Sequence, residues 1–426
     1  MVLHEEGVDM PVDLSSCREQ FPAMSCQVNG NPVAYFDGPG GTQVPKSVID
    51  RMVRYLSSQN ANIHGEFKSS RETDAVIEEA RERVAVFLGA SKEEIAFGAN
   101  MTTLNFALSR AIARDLVPGD EIIVTELDHE ANIGPWTALS EKGIRVLQVR
   151  VDTESCTLDM ADLESKLGPR TKVVAVTYTS NAVGTINDVK RIAAMAHEVG
   201  AVCVVDAVSA APHILIDVRD IDCDYLLCSA YKFFGPHVGV LYGKREKFRS
   251  LRAYKVRPQE DFHPEKIETG TLNHEGLAGT TAAIDFIASL GEPFVDEFAP
   301  GDVPEERGKI IAAMRAMAEY EDALLARLMD GLSDVPGLKI YGLPAGASRT
   351  PIVAFTMEGC SPAEVARELG EKGLFVWHGH FFALTLIERL GLAEKGGVVR
   401  IGIAPYNTAE EIDRLLEAIR SLASGR

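Results

Sequence analysis

Lys172-Val-Val-Ala-Val-Thr177, a helical stretch over 189–199, and Ala201-Val-Cys-Val-Val-Asp206 together decide the fold. Two short β-branched runs flank a segment whose apolar residues recur at helical spacing. Strand, crossover helix, strand is the pattern of a parallel βαβ unit. The near-continuous valine content fits strands covered on both faces. Working outward, similar apolar runs lie at 95–98, 121–125, 146–151, 224–228 and 239–242, and helical stretches at 70–88, 104–115 and 163–167. The pattern predicts an α/β fold with a mostly parallel seven-stranded sheet between helices.

The first 30 residues mix turn formers with one apolar patch, and we expect them to form an N-terminal segment packing with the smaller unit. Residues 31–290 form the expected large unit. At 291–307 Pro, Gly, Asp and Glu replace the periodic pattern, which reads as a linker. Residues 308–426 are expected to form a smaller α+β unit. It opens with a long helix over 308–332 and closes with one over 409–422, begun by the capping pair Asn407-Thr408.

The formal net charge of −19 argues against nucleic acid and against an anionic membrane surface as partners. Seven cysteines with no C-x-x-C pair are no disulfide scaffold, and several sit in apolar runs as reduced thiols do. The acidic start Met1-Val-Leu-His-Glu-Glu predicts no signal peptide, and no apolar run is long enough to span a membrane. The expectation is a cytoplasmic protein.

In an open parallel sheet, ligands bind outside the carboxyl ends of the strands. The apolar runs are followed there by His129, Asn181, Asp206 and Lys232, and by Asn100-Met101-Thr102 opening a helix. Singly each has an ordinary use: Asp206 or Asn100 as a helix cap, Lys232 as a surface cation, His129 as a satisfied buried imidazole. Together on one rim they match the needs of pyridoxal phosphate. A lysine amine forms a Schiff base, and a carboxylate pairs with the pyridine nitrogen so that the ring stays an electron sink. The phosphate takes backbone N–H groups at a helix start, with hydroxyls from Ser229 and Tyr231.

Two other patterns compete. Ser229-Ala-Tyr-Lys232 matches the S-x-x-K of acyl-enzyme hydrolases, but the S-D-N and K-T-G companions are missing. His378-Gly-His380 could offer two metal ligands, without a third.

Longer motifs carry a resemblance over nearly the whole chain. They are Tyr35-Phe-Asp-Gly-Pro-Gly-Gly41, Asn62-Ile-His64-Gly65, Asp128-His129-Glu-Ala-Asn132, Ser180-Asn181-Ala-Val-Gly184, Val205-Asp206-Ala207, Ser229-Ala-Tyr-Lys232-Phe-Phe-Gly235, Glu268-Thr-Gly270-Thr271 and Val399-Arg400-Ile-Gly402. The chain resembles the class V aminotransferase family of fold-type I pyridoxal-phosphate enzymes, in the cysteine desulfurase and selenocysteine lyase branch. The resemblance implies that Lys232 is the Schiff-base lysine and proton shuttle, and that Asp206 binds the ring nitrogen. His129 would stack on the ring and Asn181 would contact its hydroxyl. Ser229, Tyr231, Asn100, Met101 and Thr102 would hold the phosphate, with Thr271 reaching across from a second subunit of a homodimer. Arg400 would clamp the carboxylate of an amino-acid substrate, and His64, Gly40 and Gly41 would line the substrate side.

The chain departs from the branch at three places. Ser209 stands for a usual glutamine, which puts the second contact to the ring hydroxyl in doubt, and Tyr231 stands for a usual histidine. Phe382, in Val376-Trp-His-Gly-His-Phe-Phe-Ala383, stands where desulfurases carry a nucleophilic cysteine, and no cysteine follows Cys360. Persulfide chemistry needs a thiolate. The chain is thus also similar to a cysteine desulfurase-like subgroup with this substitution. The expected activity is carbon–sulfur β-elimination, with transamination or epimerisation as the alternative and a non-catalytic binding protein as a remote one. Trp377, Phe381 and Phe382 suggest an apolar pocket wall.

Overall fold

The computed structural model describes residues 10–259, 261 and 264–425. The acidic start at residues 1–6 therefore lies outside the described residues. The central sheet has seven strands: β1 (Ile95–Gly98), β2 (Glu121–Thr125), β3 (Arg145–Val149), β4 (Thr171–Thr177), β5 (Val202–Asp206), β6 (Tyr225–Ser229) and β7 (Gly239–Gly243). Their order across the sheet is β1-β7-β6-β5-β4-β2-β3. Only β7 runs against its neighbours. Its connection from β6, residues 230–238, is shorter than the roughly a dozen residues a parallel crossover needs. The run expected over 146–151 divides: β3 ends at Val149, and Val151–Asp152 turns away to pair with Thr157–Leu158.

Both faces of the sheet are covered, as the valine runs predicted. Val174, Val176, Val205 and Leu226 join one apolar cluster, while Val173, Ala175, Val204 and Leu227 join a second on the opposite face with Trp136 and Phe248. The helices of eight or more residues are α1 (Lys46–Ser58), α2 (Lys68–Leu88), α3 (Met101–Ile112), α4 (Glu130–Thr137), α5 (Val189–Glu198), α6 (His274–Gly291), α7 (Glu305–Ser333), α8 (Pro362–Glu371) and α9 (Ala409–Ser424).

The segment read as a linker is largely structured. Short helical turns at Glu292–Phe294 and Val295–Phe298 follow α6, and α7 starts at Glu305. Arg307 on its first turn donates to the carbonyls of Val86, Phe87 and Ile216 at 2.8–2.9 Å, a cation closing the C-terminal end of α2. The smaller unit holds an antiparallel sheet of β8 (Leu338–Tyr341), β9 (Ile352–Met357), β10 (Trp377–Gly379) and β11 (Val398–Gly402), ordered β8-β9-β11-β10. Thr408 caps α9 in a reciprocal capping box with Glu411.

The N-terminal segment touches both units. Arg18 pairs with Glu411 at 2.7 Å and donates to the Tyr406 carbonyl, and the Phe21 ring lies against Tyr406, Phe234 and Phe286. Ala34–Tyr35 pairs in parallel with Leu374–Phe375, and Gly402 N–H donates to the Phe36 carbonyl. By pairing, residues 34–36 thus belong with the smaller unit rather than the large one. Among the described residues no helix is long and apolar enough to cross a membrane.

Candidate active site

The carboxyl ends of β2, β4, β5 and β6 and the start of α3 open onto one cavity of about 270 Å³. Its wall includes Asn100, Met101, Thr102, His129, Asn181, Asp206, Ser209, Ser229, Tyr231, Lys232 and Arg400, all of which the sequence had singled out.

The phosphate-sized end is built from a strand end and a helix start. Asn100 caps α3, its Oδ1 accepting from Thr103 N–H at 2.9 Å, and Ser229 Oγ accepts from Met101 N–H at 2.9 Å. The cap reading of Asn100 and the rim reading therefore both hold. A β-carbon at Gly239 would stand 2.4 Å from the Asn100 carbonyl carbon, so the start of β7 and the helix start touch only because that residue is glycine.

Lys232 is 9% exposed, and its ammonium donates to the Pro39 carbonyl. Asp206 Oδ1 accepts from Val208 N–H at 2.9 Å, an Asx turn rather than a helix cap. His129 accepts from Ala131 N–H through Nδ1 at 2.9 Å, which assigns its proton to Nε2. Asn181 is held from both ends: its carbonyl accepts from Arg400 Nη1, and its Nδ2 donates to the Phe381 carbonyl, each at 2.7 Å. Asn181 Oδ1 and Arg400 Nε are left buried without a partner among the described residues.

Burial shifts every charge here toward neutrality. It pulls Lys232 down to about 7, with Arg400 adding to the effect and Asp206 opposing it. It pushes Asp206 up to about 6, His129 down to about 4 and Arg400 down to about 9. Beneath them Asp128, accepting from Thr125 N–H and Oγ1, is pushed up to about 7 by burial, with Asp206 contributing. Asp206 and Arg400 feel only the more distant charges of Lys232 and Asp37 and make no direct ion pair among the described residues, a costly arrangement for buried groups. A group bringing a ring N–H to Asp206 and a carboxylate to Arg400 would satisfy both. The donor set therefore fits pyridoxal phosphate with an amino acid.

Residues 376–389 strap across the mouth. Glu130 N–H donates to the Phe382 carbonyl at 2.8 Å, Phe382 N–H donates to His380 Nδ1 at 3.1 Å, and Arg389 pairs with buried Glu126. The Phe381 ring lies 4.0 Å from the Arg400 guanidinium, and Phe382 stacks on His129 at 5.3 Å and 25°. Both phenylalanines are left-handed, with φ of 52° and 57°. Such conformations cost roughly 1–2 kcal/mol each in a residue with a β-carbon. Trp377 packs where a β-carbon on Gly40 would come within 2.5 Å of its Nε1.

Three expected site residues do not line the cavity of this chain. Gly41 has its face against the Tyr231 ring, so Pro39 and Gly40 form that wall instead. His64 is exposed beside Asp74, at 3.2 Å, on a loop with φ of 64°. Thr271 is exposed on a turn anchored from beneath, where Glu268 receives both Arg81 Nη groups and Phe97 N–H at 2.7–2.8 Å. The sequence reading missed Ala131, Thr177 and Val208 of the wall, which carry no chemical signature. Among the described residues no group of three or more His, Cys, Asp or Glu, at His378 and His380 or elsewhere, is placed to hold a metal. None of the seven cysteines lines the cavity, and five of them are buried.

The aminotransferase class-V model matches residues 34–297 and 310–415. A probable cysteine desulfurase of Mycolicibacterium paratuberculosis is 34% identical over 97% of this chain, which spans 58% of that protein's length. A cysteine desulfurase of Pectobacterium carotovorum is 33% identical over 97% of this chain and 98% of its own. Among solved structures, the apo cysteine desulfurase of Thermococcus onnurineus superposes with a TM-score of 0.85 at 28% identity, covering 99% of this chain and all of that one. A cysteine desulfurase of Escherichia coli does so at 0.81 and 26%, covering 97% and 98%. The chain belongs to the class V aminotransferase family, in the cysteine desulfurase-like branch of fold-type I pyridoxal-phosphate enzymes.

Proposed function

We propose that the chain is a pyridoxal-phosphate enzyme that cleaves a carbon–sulfur bond of an amino acid by β-elimination, without an enzyme persulfide. The observation that supports this reading is the cavity wall, which holds Phe382 on the strap and no cysteine; the resemblance would align Phe382 with the desulfurases' cysteine. Bound pyridoxal phosphate supplies an electron sink for the negative charge left at Cα.

Every other role falls to the chain. The start of α3 and Ser229 receive the phosphate, Asp206 holds the ring nitrogen, and His129 covers the ring as a neutral imidazole. Arg400 takes the substrate carboxylate through the N–H groups that Asn181 leaves free. Lys232, about half neutral at pH 7, would hold the cofactor and carry the Cα proton at Nζ. The Cβ–S bond breaks with its electron pair leaving on sulfur. The balance is one S-linked amino acid and one water giving one thiol or sulfide, one pyruvate and one ammonium, with no net oxidation.

We also read the chain as a homodimer. Ile49, Val53 and Leu56 form an exposed apolar stripe along α1, with Phe67 exposed nearby in sequence. A dimer would give Thr271 and His64 a neighbouring cavity to serve.

Purified protein should be yellow, and borohydride should fix the cofactor to the peptide bearing Lys232. Lys232→Ala should lose that fixation. Incubation with sulfur amino acids should then release pyruvate and ammonium. Alanine with transferable sulfur as products would refute the elimination reading, and an oxo acid matching the substrate would indicate transamination.

A further inference from the structure

We propose that the cavity selects amino acids whose side chain ends in an uncharged apolar group, and that Phe382 and Trp377 form its seat. Resting on the elimination reading above, this makes the substrate an S-alkyl or S-aryl cysteine rather than free cysteine.

The wall leaves little else for a side chain to meet. Lys232 and Arg400 are the only lysine or arginine among the lining residues, and both are committed, one to the cofactor and one to the α-carboxylate. No cation remains for a distal carboxylate or phosphate. The strap opposite presents three aromatic rings. Phe381 covers the Arg400 guanidinium and Phe382 leans one face on His129, while Trp377 and the rest of the Phe382 ring remain exposed. These two are 61% and 50% exposed while lining a cavity, and large rings left half-wet at a pocket mouth gain most when a ligand covers them.

The backbone supplies a separate argument. Two successive left-handed phenylalanines occupy positions that glycine or asparagine would take without strain. Asn181, Glu130 and His380 hold them there by hydrogen bonds from three directions. Strain kept at a site where a simpler residue would fold more easily points to a use for the rings. Gly40 points the same way, since only the absence of a β-carbon lets the Trp377 indole lie against the wall.

The test uses the purified chain freed of cofactor and two non-reactive reduced adducts, phosphopyridoxyl-S-benzyl-L-cysteine and phosphopyridoxyl-L-alanine, titrated by calorimetry. The benzyl adduct should bind at least about tenfold more tightly, as burial of one aromatic group supports. Phe382→Ala and Trp377→Ala should each erase most of that ratio, each variant being read against its own alanine-adduct affinity. Equal affinity of the two adducts, or tighter binding of a phosphopyridoxyl-L-aspartate adduct, overturns the proposal while leaving the cofactor reading intact. Failure of the folded chain to bind any of the adducts overturns the cofactor reading itself. In turnover, a kcat/KM for L-cysteine equal to that for S-benzyl-L-cysteine would also count against the seat.

Discussion

Lys232→Met isolates what burial does to the one amine in the cavity. In the folded chain that amine titrates at about 7, against 10.5 for an ordinary lysine. The folded state therefore holds this proton more weakly than the unfolded chain does, and stability rises with pH wherever the unfolded chain carries more protons. The interval between the two values corresponds to a penalty of about 5 kcal/mol, fully present below pH 7. At pH 7 about 4 kcal/mol remains, at pH 10 about 1 kcal/mol, and above the ordinary lysine value none. Methionine keeps most of the stem and carries no proton. It also gives up the bond to the Pro39 carbonyl, but that loss does not vary with pH across this range. Asp206, titrating at about 6, is mostly ionised from pH 7 to 10 in both chains, while Arg400 is coupled to the amine, so the difference reads their joint titration. Urea unfolding of the two cofactor-free proteins, followed by circular dichroism at several pH values, should show the advantage of the methionine variant shrinking by about 3 kcal/mol from pH 7 to 10. A difference that stays flat over that range would mean the amine is solvated, and the argument for a half-neutral Lys232 at pH 7 would fail.

Three further outcomes follow from other parts of the fold. Arg81→Met strands the Glu268 carboxylate in the core and should cost roughly 3–5 kcal/mol in urea melts, with Glu268→Gln on top recovering part of it. Gly239→Ala drives a β-carbon into the Asn100 backbone, so cofactor affinity measured by absorbance titration should drop by about tenfold or more even where the chain still folds. Arg400→Lys keeps the charge but loses the fork, and steady-state kinetics should show KM rising by about tenfold or more with a smaller change in kcat. An unchanged KM would remove Arg400 from the carboxylate.

The sheet and the composition of its rim were legible because each depends on local pattern. Valine runs broken by helical periods specify parallel strands, and whatever follows a parallel strand lands on one edge. Lys232, Asp206, Asn181 and His129 all follow from that rule. The direction of β7 was not legible, since an apolar run has no arrow and only the length of the 230–238 connection decides it. Nor was it legible that of the pair Gly40-Gly41 only Gly40 reaches the wall, which depends on where the Trp377 indole and the Tyr231 ring lie. Two adjacent phenylalanines in left-handed backbone defy propensity, so no local rule could place them. His64 carried a family signal but lies exposed off this chain's cavity, while Thr271, expected to serve a second subunit, is likewise not on this wall.

The reversed strand has a consequence for how errors in the fold would be read. Because β7 starts at the rim where β6 ends, Gly239 lies in register with both Ser229 and Gly98. A slip of β7 by one residue would turn Val238 or Val240 toward Asn100, where there is no space for any β-carbon. Pairing of the sheet edge and assembly of the helix start are thus one event. A chain that misregisters this hairpin would retain its secondary structure yet lose the contact between Ser229 and the start of α3.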